Sequence, residues 1–233
     1  MRIALLGYGK MGKTIEQIAL KRGHTIVIKA NQSDEYNITE ADIAIDFSIP
    51  KAAYKNISQC LTHNVPVISG TTGWLDDYDK AVAHCQEKNG AFIYASNFSL
   101  GVNIFFELNR TLANMMNTLK EYKVSIEEIH HTQKLDAPSG TAITLANDII
   151  KAHSNYTSWR LNESNDHIIG ISSKRIEHVP GTHTINYNSN VDAININHTA
   201  HKREGFALGA VIAAEWLLGK TGVFTMKDVL NIG

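Results

Sequence analysis

The chain is poor in cysteine and has no excess of charge of either sign. Its 233 residues contain only Cys60 and Cys85, which are too few and too far apart for a disulfide framework or a cysteine-ligated zinc site. We expect both to be buried free thiols. Basic residues number 22 and acidic residues 23, so the net charge is −1. No global field recruits nucleic acid or an anionic membrane, and any anionic ligand must be bound by local groups.

Long hydrophobic runs are also missing. No segment approaches the roughly 18 consecutive apolar residues that a membrane-spanning helix needs, and the N-terminus enters a short core-like strand rather than a signal peptide. We therefore expect a cytoplasmic protein. The content of 43% hydrophobic and 19% charged residues is typical of a globular chain with a sizeable core. Most of the 11 histidines lie after residue 129, so we expect the chemistry to be located in the second half of the chain.

The first hundred residues alternate between strand and helix signals. Short apolar runs predict strands at 3–6, 25–30, 43–47, 65–69 and 91–95, and helical periodicity follows the first, third and fourth of them. Short, nearly continuous apolar strands joined by helices favour a doubly wound parallel sheet. The fold class predicted for this half is therefore α/β.

After about residue 104 the pattern changes. We predict helices at 104–119 and 142–150, a strand at 122–131 and a β-rich segment at 168–199. Such an order favours a second, α+β domain with an open mixed or antiparallel sheet. A last helix at 206–218 that packs back on the first domain would make that domain discontinuous. The predicted domains are 1–103 with 204–233, and 104–203.

A glycine-rich loop follows the first strand and opens the first helix. The first glycine of the pattern G-x-G-x-x-G allows a tight turn, the second lets a pyrophosphate approach the backbone, and the third lets helix and strand pack closely. The pattern predicts a Rossmann-type dinucleotide site; a glycine-rich turn without a ligand is the alternative. The acidic residue that usually ends the second strand is missing, because Asn31 stands there. The residues of this loop are Gly7, Tyr8, Gly9, Lys10, Met11 and Gly12.

Two further loops carry small and hydroxylated residues after predicted parallel strands. The carboxyl ends of such strands form the edge at which open α/β sheets bind ligands. Ordinary loop chemistry explains these residues equally well. The residues that we predict to contact the cofactor are Gly70, Thr71 and Thr72 after the fourth strand, and Ala95, Ser96, Asn97 and Phe98 after the fifth.

The densest group of reactive side chains lies at 128–141. Adjacent histidines on an extended chain point to opposite faces, so His130 and His131 are poor joint ligands, and we expect no metal site. His130 and Lys134 could both transfer protons near neutral pH. A solvated loop is the plainer interpretation of each residue alone.

The same segment ends by opening a helix. Ser139, Gly140 and Thr141 would offer free backbone N–H groups, hydroxyls and the positive end of a helix dipole to a carboxylate or phosphate. Proton donors just before such a turn favour a site for an anionic substrate. A second basic cluster at 198–203 contains His198, His201 and Arg203. It could line the same site or lie between the domains, and a solvated edge is the alternative.

Together these motifs are specific enough to name a family. The segments 7–12, 70–73, 96–103 and above all 128–141 resemble those of dihydrodipicolinate reductase (4-hydroxy-tetrahydrodipicolinate reductase), and the likeness extends to the C-terminus. The resemblance implies a Rossmann domain and an open mixed-sheet substrate domain that also builds a homotetramer. It also implies reduction of 4-hydroxy-tetrahydrodipicolinate (or dihydrodipicolinate) to tetrahydrodipicolinate with NADPH or NADH, on the diaminopimelate route to lysine. The only partner besides further copies would be a small dicarboxylate substrate.

The resemblance also implies roles for single residues. His130 would donate or accept a proton, and Lys134 would donate one. The residues that would bind the substrate are His131, Lys134, Ser139, Gly140 and Thr141.

The nucleotide preference depends on Asn31. It replaces the acidic residue that usually ends the second strand, which is a departure from the family pattern, and its uncharged side chain repels neither nucleotide. Lys29 or Lys10 could lend positive charge to a 2′-phosphate. We therefore expect NADPH to be accepted at least as well as NADH.

Two other functions remain open on the sequence. Another two-domain amino-acid dehydrogenase, such as an aspartate dehydrogenase, would share the Rossmann half. A non-catalytic, NAD(P)-binding redox sensor would need the glycine loop but not His130 and Lys134. Only the segment 128–141 separates these alternatives from the reductase.

Overall fold

Two separate sheets organise the chain, of which the computed structural model describes residues 1–31, 34–202 and 204–232. Unit 1 consists of the described parts of Met1–Asn103 and Glu204–Gly233, and unit 2 of those of Ile104–Arg203. Arg203, part of the predicted basic cluster, lies outside the described residues.

The strands are short, between three and eight residues long. They are β1 (Arg2–Leu6), β2 (Thr25–Ala30), β3 (Ile43–Asp46), β4 (Val67–Ser69), β5 (Ala91–Tyr94), β6 (Lys123–His130), β7 (Ser158–Leu161), β8 (Ile168–Arg175), β9 (Gly181–Asn188), β10 (Ala193–Ala200) and β11 (Gly222–Phe224). The helices are α1 (Lys10–Lys21), α2 (Pro50–Thr62), α3 (Tyr78–Glu87), α4 (Leu100–Met116), α5 (Gly140–Ala152), α6 (Glu204–Leu217) and α7 (Met226–Leu230).

Unit 1 is a parallel sheet in the order β11-β5-β4-β3-β1-β2. Its strands are apolar on both faces because helices cover both. Along β1, Ile3 and Leu5 pack in the core that contains α1 and α6, whereas Ala4 and Leu6 pack in the core that contains α2 and α3. The predicted doubly wound sheet is confirmed, and Cys60 and Cys85 are buried free thiols of the second core.

Unit 2 is a five-stranded mixed sheet in the order β10-β9-β6-β8-β7. The central strand β6 pairs antiparallel with β9 and parallel with β8. Alternate residues of β6 are buried, and its apolar members Val124 and Ile126 pack with residues of α4 and α5. The same alternation buries two polar side chains further along the strand, Glu128 and His130.

The structure differs from the predicted elements mainly at sheet edges and helix starts. The short edge strands β7 and β11 carry weak patterns and were not predicted. Helix α4 starts at Leu100, four residues before the predicted start, and a 3-10 turn at Leu75–Asp77 precedes α3. The final helix α7 begins with a capping box formed by Thr225 and Asp228. Within the described residues, no helix has the length and apolar character needed to cross a membrane.

Candidate active site

The glycine loop connects β1 to α1. Gly7 has a φ of +95°, and a Cβ there would lie 2.1 Å from the carbonyl oxygen of Phe47. A Cβ on Gly12 would lie 2.5 Å from the carbonyl oxygen of Gly7, so close packing of turn and helix requires glycine at both positions. Gly9 differs, because a Cβ added there would meet no atom within 4 Å. It is the N-cap of α1 and provides no side-chain cap, so open space and helix N–H groups coincide as a pyrophosphate requires.

The other predicted members of the loop have different surroundings. The Tyr8 backbone N–H donates to Asn31 Oδ1 over 3.2 Å, which ties the loop to the end of β2. Lys10 is exposed at the start of α1, and Met11 is half-buried against the core. Of these side chains, Lys10 is therefore the one that lies open to an anionic ligand.

Lys29 is not a free cation. Its Nζ lies 2.6 Å from Glu16 Oε1 and 5.2 Å from the centroid of the Tyr8 ring. The Tyr8 hydroxyl also donates to Glu16. Since the Lys29 ammonium is already paired, the expectation that it serves a 2′-phosphate loses support.

Two cavities with volumes of about 210 and 620 Å³ share Asn31 in their walls. The smaller cavity is also lined by Gly7 and Ser48, beside the glycine loop. The larger one has charged walls, and its charged residues are Asp34, Glu35, Lys51 and Lys55. Sequence reasoning missed all four, because Asp34 and Glu35 lie beyond the usual strand-end position and the two lysines belong to α2.

A buried carboxylate fixes the loops at the carboxyl edge of the sheet. Asp46, at the end of β3, is fully buried and accepts hydrogen bonds from Thr71 Oγ1 over 2.7 Å and from Ser69 Oγ over 2.8 Å. Its other oxygen accepts from Ser48 Oγ and Asn56 Nδ2. Burial raises the pKa of Asp46, against hydrogen bonds that lower it. Thr71 is therefore held by its hydroxyl, whereas Thr72 is exposed and Gly70 packs on the Phe47 ring.

The loop after β5 is fixed by its own side chains. Asn97 Oδ1 accepts from the Ser99 N–H over 2.9 Å, and the Asn97 carbonyl accepts from Asn103 Nδ2. Ser96 is exposed and Ala95 is half-buried. The Phe98 side chain is only 1% exposed and belongs to the core, so only its backbone is available to a ligand.

Unit 2 places the second group of predicted residues at the end of β6. His130 is the last strand residue and is 7% exposed, and His131 follows it half-buried. Burial lowers the pKa of His130 to about 4, with smaller contributions in the same direction from His183, Lys134 and Arg175. At neutral pH the imidazole is therefore uncharged in the free protein.

Lys134 lies in the loop that follows. Its Nζ contacts both carboxylate oxygens of Asp136, at 2.7 and 2.8 Å. Arg175, at the end of β8, donates to the carbonyl oxygens of Lys134 and Asp136 at 3.2 and 2.6 Å. Arg175 thus fixes the loop backbone, a role that no local pattern in the sequence revealed.

The loop leads to the N-terminus of α5. Ser139 is buried and caps the helix, since its Oγ accepts from the Ala142 N–H over 3.2 Å. In the described part of the chain, the N–H groups of Gly140 and Thr141 donate to no protein acceptor. A Cβ on Gly140 would meet no atom within 4 Å. The turn therefore offers free donors and open space, as a carboxylate site requires.

The basic cluster predicted near residue 200 is split. His198 lies on β10 with its ring 5.9 Å from that of Phe105, and burial lowers its pKa. His201 and Lys202 are exposed. The contact with Phe105 makes His198 part of the packing of unit 2.

Of the described side chains, Glu128, His130 and His183 are a group whose ligand atoms lie close enough to invite a metal ion. Sequence reasoning considered His130 only with His131 and missed His183. The Glu128 oxygens already accept from the Ser139 N–H, from Ser173 Oγ and from the Arg175 guanidinium. Positive charge beside the carboxylate disfavours a cation there, so the group fits a hydrogen-bond network better.

Comparison with known proteins covers both units. The family model described as dihydrodipicolinate reductase, N-terminus, matches residues 1–98, and that for the C-terminus matches residues 101–230. A 4-hydroxy-tetrahydrodipicolinate reductase from Christiangramia forsetii is 60% identical, over 99% of this chain and 98% of its own length. One from Thermosipho africanus is 34% identical, over 99% of this chain and 98% of its own length.

A solved structure has the same fold. It is a dipicolinate-bound dihydrodipicolinate reductase from Paenisporosarcina sp. TG-14, with a TM-score of 0.78 and 22% identity over 97% of each chain. At this identity the likeness concerns the arrangement of the elements.

Proposed function

The chain belongs to the dihydrodipicolinate reductase family, and from that premise we propose that unit 1 binds the nicotinamide nucleotide while unit 2 binds and protonates the substrate. The activity is the NAD(P)H-dependent reduction of 4-hydroxy-tetrahydrodipicolinate to tetrahydrodipicolinate. Loss of water from the substrate leaves a ring that takes up one hydride and one proton. The reduced nicotinamide, when bound, supplies the hydride, and the protein must deliver the proton.

In unit 1 the glycine loop holds the pyrophosphate. Gly9 leaves space for it, and the first N–H groups of α1 face it. The Asp46 network holds Thr71 in place, so that Gly70–Thr72 and the loop at 95–98 form a rigid support for the nicotinamide side. The cavities beside Asn31 receive the adenosine end.

The larger cavity presents both acidic and basic side chains to the adenosine end of the nucleotide. The Asp34 carboxylate accepts from the Asn31 N–H over 2.7 Å, so an acid stands three residues after the usual position and can bind ribose hydroxyls. Lys51 and Lys55 line the same cavity and can bind a 2′-phosphate. With both present we expect both nucleotides to be used, and NADPH at least as well as NADH.

In unit 2 the substrate's two carboxylates require two anion sites. The N–H groups of Gly140 and Thr141, beside the Ser139 cap, provide one. His131 with Lys134 provides the other, once the substrate carboxylate replaces that of the exposed Asp136 as the partner of the Lys134 ammonium. The two negative charges favour the protonated form of His130, whose imidazole is neutral in the free protein. Substrate binding therefore prepares His130 as a proton donor beside the ammonium group of Lys134.

The observation that carries these roles is the placement of His130 and Lys134 directly before the open N-terminus of α5. The two alternatives on the sequence, another amino-acid dehydrogenase and a redox sensor, do not account for 60% identity to a reductase across both units. For the assembly we expect a homotetramer, with a molar mass in solution of four times 25.8 kDa.

Steady-state kinetics of two variants test the roles. We expect Lys134→Ala to lower kcat and raise KM for the substrate, and His130→Ala to lower mainly kcat, each by about 10² to 10⁴, the usual range for acid-base groups. The affinity for NADPH should remain unchanged in both, because both residues lie in unit 2.

Lys174→Ala is the matched control. This lysine of β8 is exposed and pairs with Glu127, so its removal should leave kcat within about twofold. If Lys134→Ala and His130→Ala were as active as this control, the proposed roles would be wrong.

A further inference from the structure

We propose that Glu128 is a positioning residue that orients the imidazole of His130 and couples it to the anion-binding turn at the start of α5. This inference rests on the proposed role of His130 as a proton donor. Glu128 is a buried carboxylate that has no other part in the proposed reaction.

The register of the unit 2 sheet places Glu128 next to His130, the proposed proton donor. Residues two apart on a strand share a face, so Glu128 and His130 lie side by side on the buried face of β6. Directly across from Glu128 stand His183 on the antiparallel neighbour β9 and Ser173 on the parallel neighbour β8. A row of polar side chains thus crosses three strands.

The two oxygens of Glu128 face different partners. Oε1 accepts from Ser173 Oγ over 2.8 Å and lies 3.4 Å from the guanidinium nitrogens of Arg175, which fixes the rotation of the carboxylate. Oε2 accepts from the Ser139 N–H over 3.0 Å and lies 3.5 Å from His130 Nδ1. A single carboxylate oxygen therefore touches both the capping residue of α5 and the imidazole.

Nδ1 of His130 is buried, and within the described residues it has no hydrogen-bond partner at normal length. Glu128 Oε2, at 3.5 Å, is the carboxylate oxygen beside it. A small rotation of the ring closes an Nδ1–H···O bond, and this bond selects the tautomer that carries its proton on Nδ1. Nε2 is then the nitrogen left to take up and release the transferred proton. Gly181 leaves room for this nitrogen, because a Cβ there would lie 3.1 Å from Nε2.

The other charged and titratable groups near His130 act against its protonation. They are His183 on β9, Lys134 in the following loop and Arg175 on β8, whereas Glu128 favours the protonated form. His183 Nε2 lies 3.0 Å from Ser139 Oγ and 3.7 Å from Glu128 Oε2, so it is a further contact between the capping residue and the carboxylate. Loss of the Glu128 charge therefore leaves His130 with neighbours that oppose its charged form.

A double-mutant cycle tests whether Glu128 acts through His130. We expect Glu128→Gln, which keeps the size of the side chain, to lower kcat about 10- to 100-fold and leave the NADPH dissociation constant within twofold. In a His130→Ala background the same change should lower kcat by less than threefold, because the group that it orients is gone. Glu127→Gln is the matched control, since it makes the same change on the opposite face of β6 and should leave kcat within twofold.

The tautomer of His130 gives a second measurement on the unmodified protein. ¹⁵N chemical shifts of the imidazole at pH 7 should show the proton on Nδ1 in the native protein and a mixed population in Glu128→Gln. Glu128→Asp should restore part of the kcat that is lost in Glu128→Gln, since it restores the charge.

The possible failures are distinguishable. Losses that multiply fully in the double mutant would overturn the role of Glu128. A native His130 with its proton on Nε2 would overturn it even if Glu128→Gln proves too unstable to purify. A His130→Ala variant with native kcat would instead overturn the proposed function of His130 itself.

Discussion

Replacing Gly9 by alanine separates nucleotide binding from folding in unit 1. The position lies in open space in extended backbone with a φ of −87°, so neither a close contact nor a positive φ requires glycine there. Gly12→Ala is the matched comparison, because its Cβ would lie 2.5 Å from the carbonyl oxygen of Gly7.

The expected magnitudes follow from these contacts. Gly9→Ala should change the free energy of unfolding by less than about 0.5 kcal/mol, as exposed substitutions usually do. It should raise the dissociation constant of NADPH about 10- to 100-fold, since a methyl group in the path of the pyrophosphate costs one or more charge-assisted hydrogen bonds at about 1.5 to 3 kcal/mol each. Gly12→Ala should lower the free energy of unfolding by about 1 to 3 kcal/mol through overpacking.

Thermal unfolding without nucleotide and fluorescence titration with NADPH measure the two effects separately. Gly12→Ala should lower the melting temperature by about 2 to 12 °C, whereas Gly9→Ala should leave it nearly unchanged. Native NADPH affinity in Gly9→Ala would refute the assignment of the pyrophosphate to this loop.

Two further predictions concern the nucleotide and the pH. Lys55→Ala should lower kcat/KM with NADPH about tenfold and leave that with NADH nearly unchanged; a native protein that strongly prefers NADH would contradict the proposed role of the larger cavity. The pKa of His130 is about 4 in the folded protein and 6.5 ordinarily. Between these two pH values the unfolded state binds more protons than the folded state, so the free energy of unfolding must fall as the pH falls through this range. Urea unfolding at pH 7 and 5 should show a loss of about 1 to 2 kcal/mol that is absent in His130→Gln, and an equal loss in both proteins would mean that other groups are responsible.

Features encoded by neighbouring residues could be predicted from the sequence. Three such features are the glycine loop, the alternation of strand and helix signals in the first hundred residues, and the helix start at Ser139. Each depends on spacing within about ten residues, and the structure contains each at the predicted place. The short strands β7 and β11 were missed because three or four edge residues carry little periodicity.

Features that depend on sheet register could not be predicted in this way. Glu128, Ser173 and His183 meet because β6 pairs with both β8 and β9, and no local pattern specifies the alignment of strands so far apart in the chain. The pairing of Lys29 with Glu16 likewise joins β2 to α1, so a lysine near the expected 2′-phosphate position is already neutralised.

Nicotinamide absorbance, followed with the purified chain and substrate produced in situ by dihydrodipicolinate synthase, measures most directly whether this chain is a reductase. We expect oxidation of NADPH in a one-to-one ratio with the substrate formed, and loss of at least about 99% of that rate in Lys134→Ala. Absence of oxidation with both NADPH and NADH would contradict the proposed reductase activity.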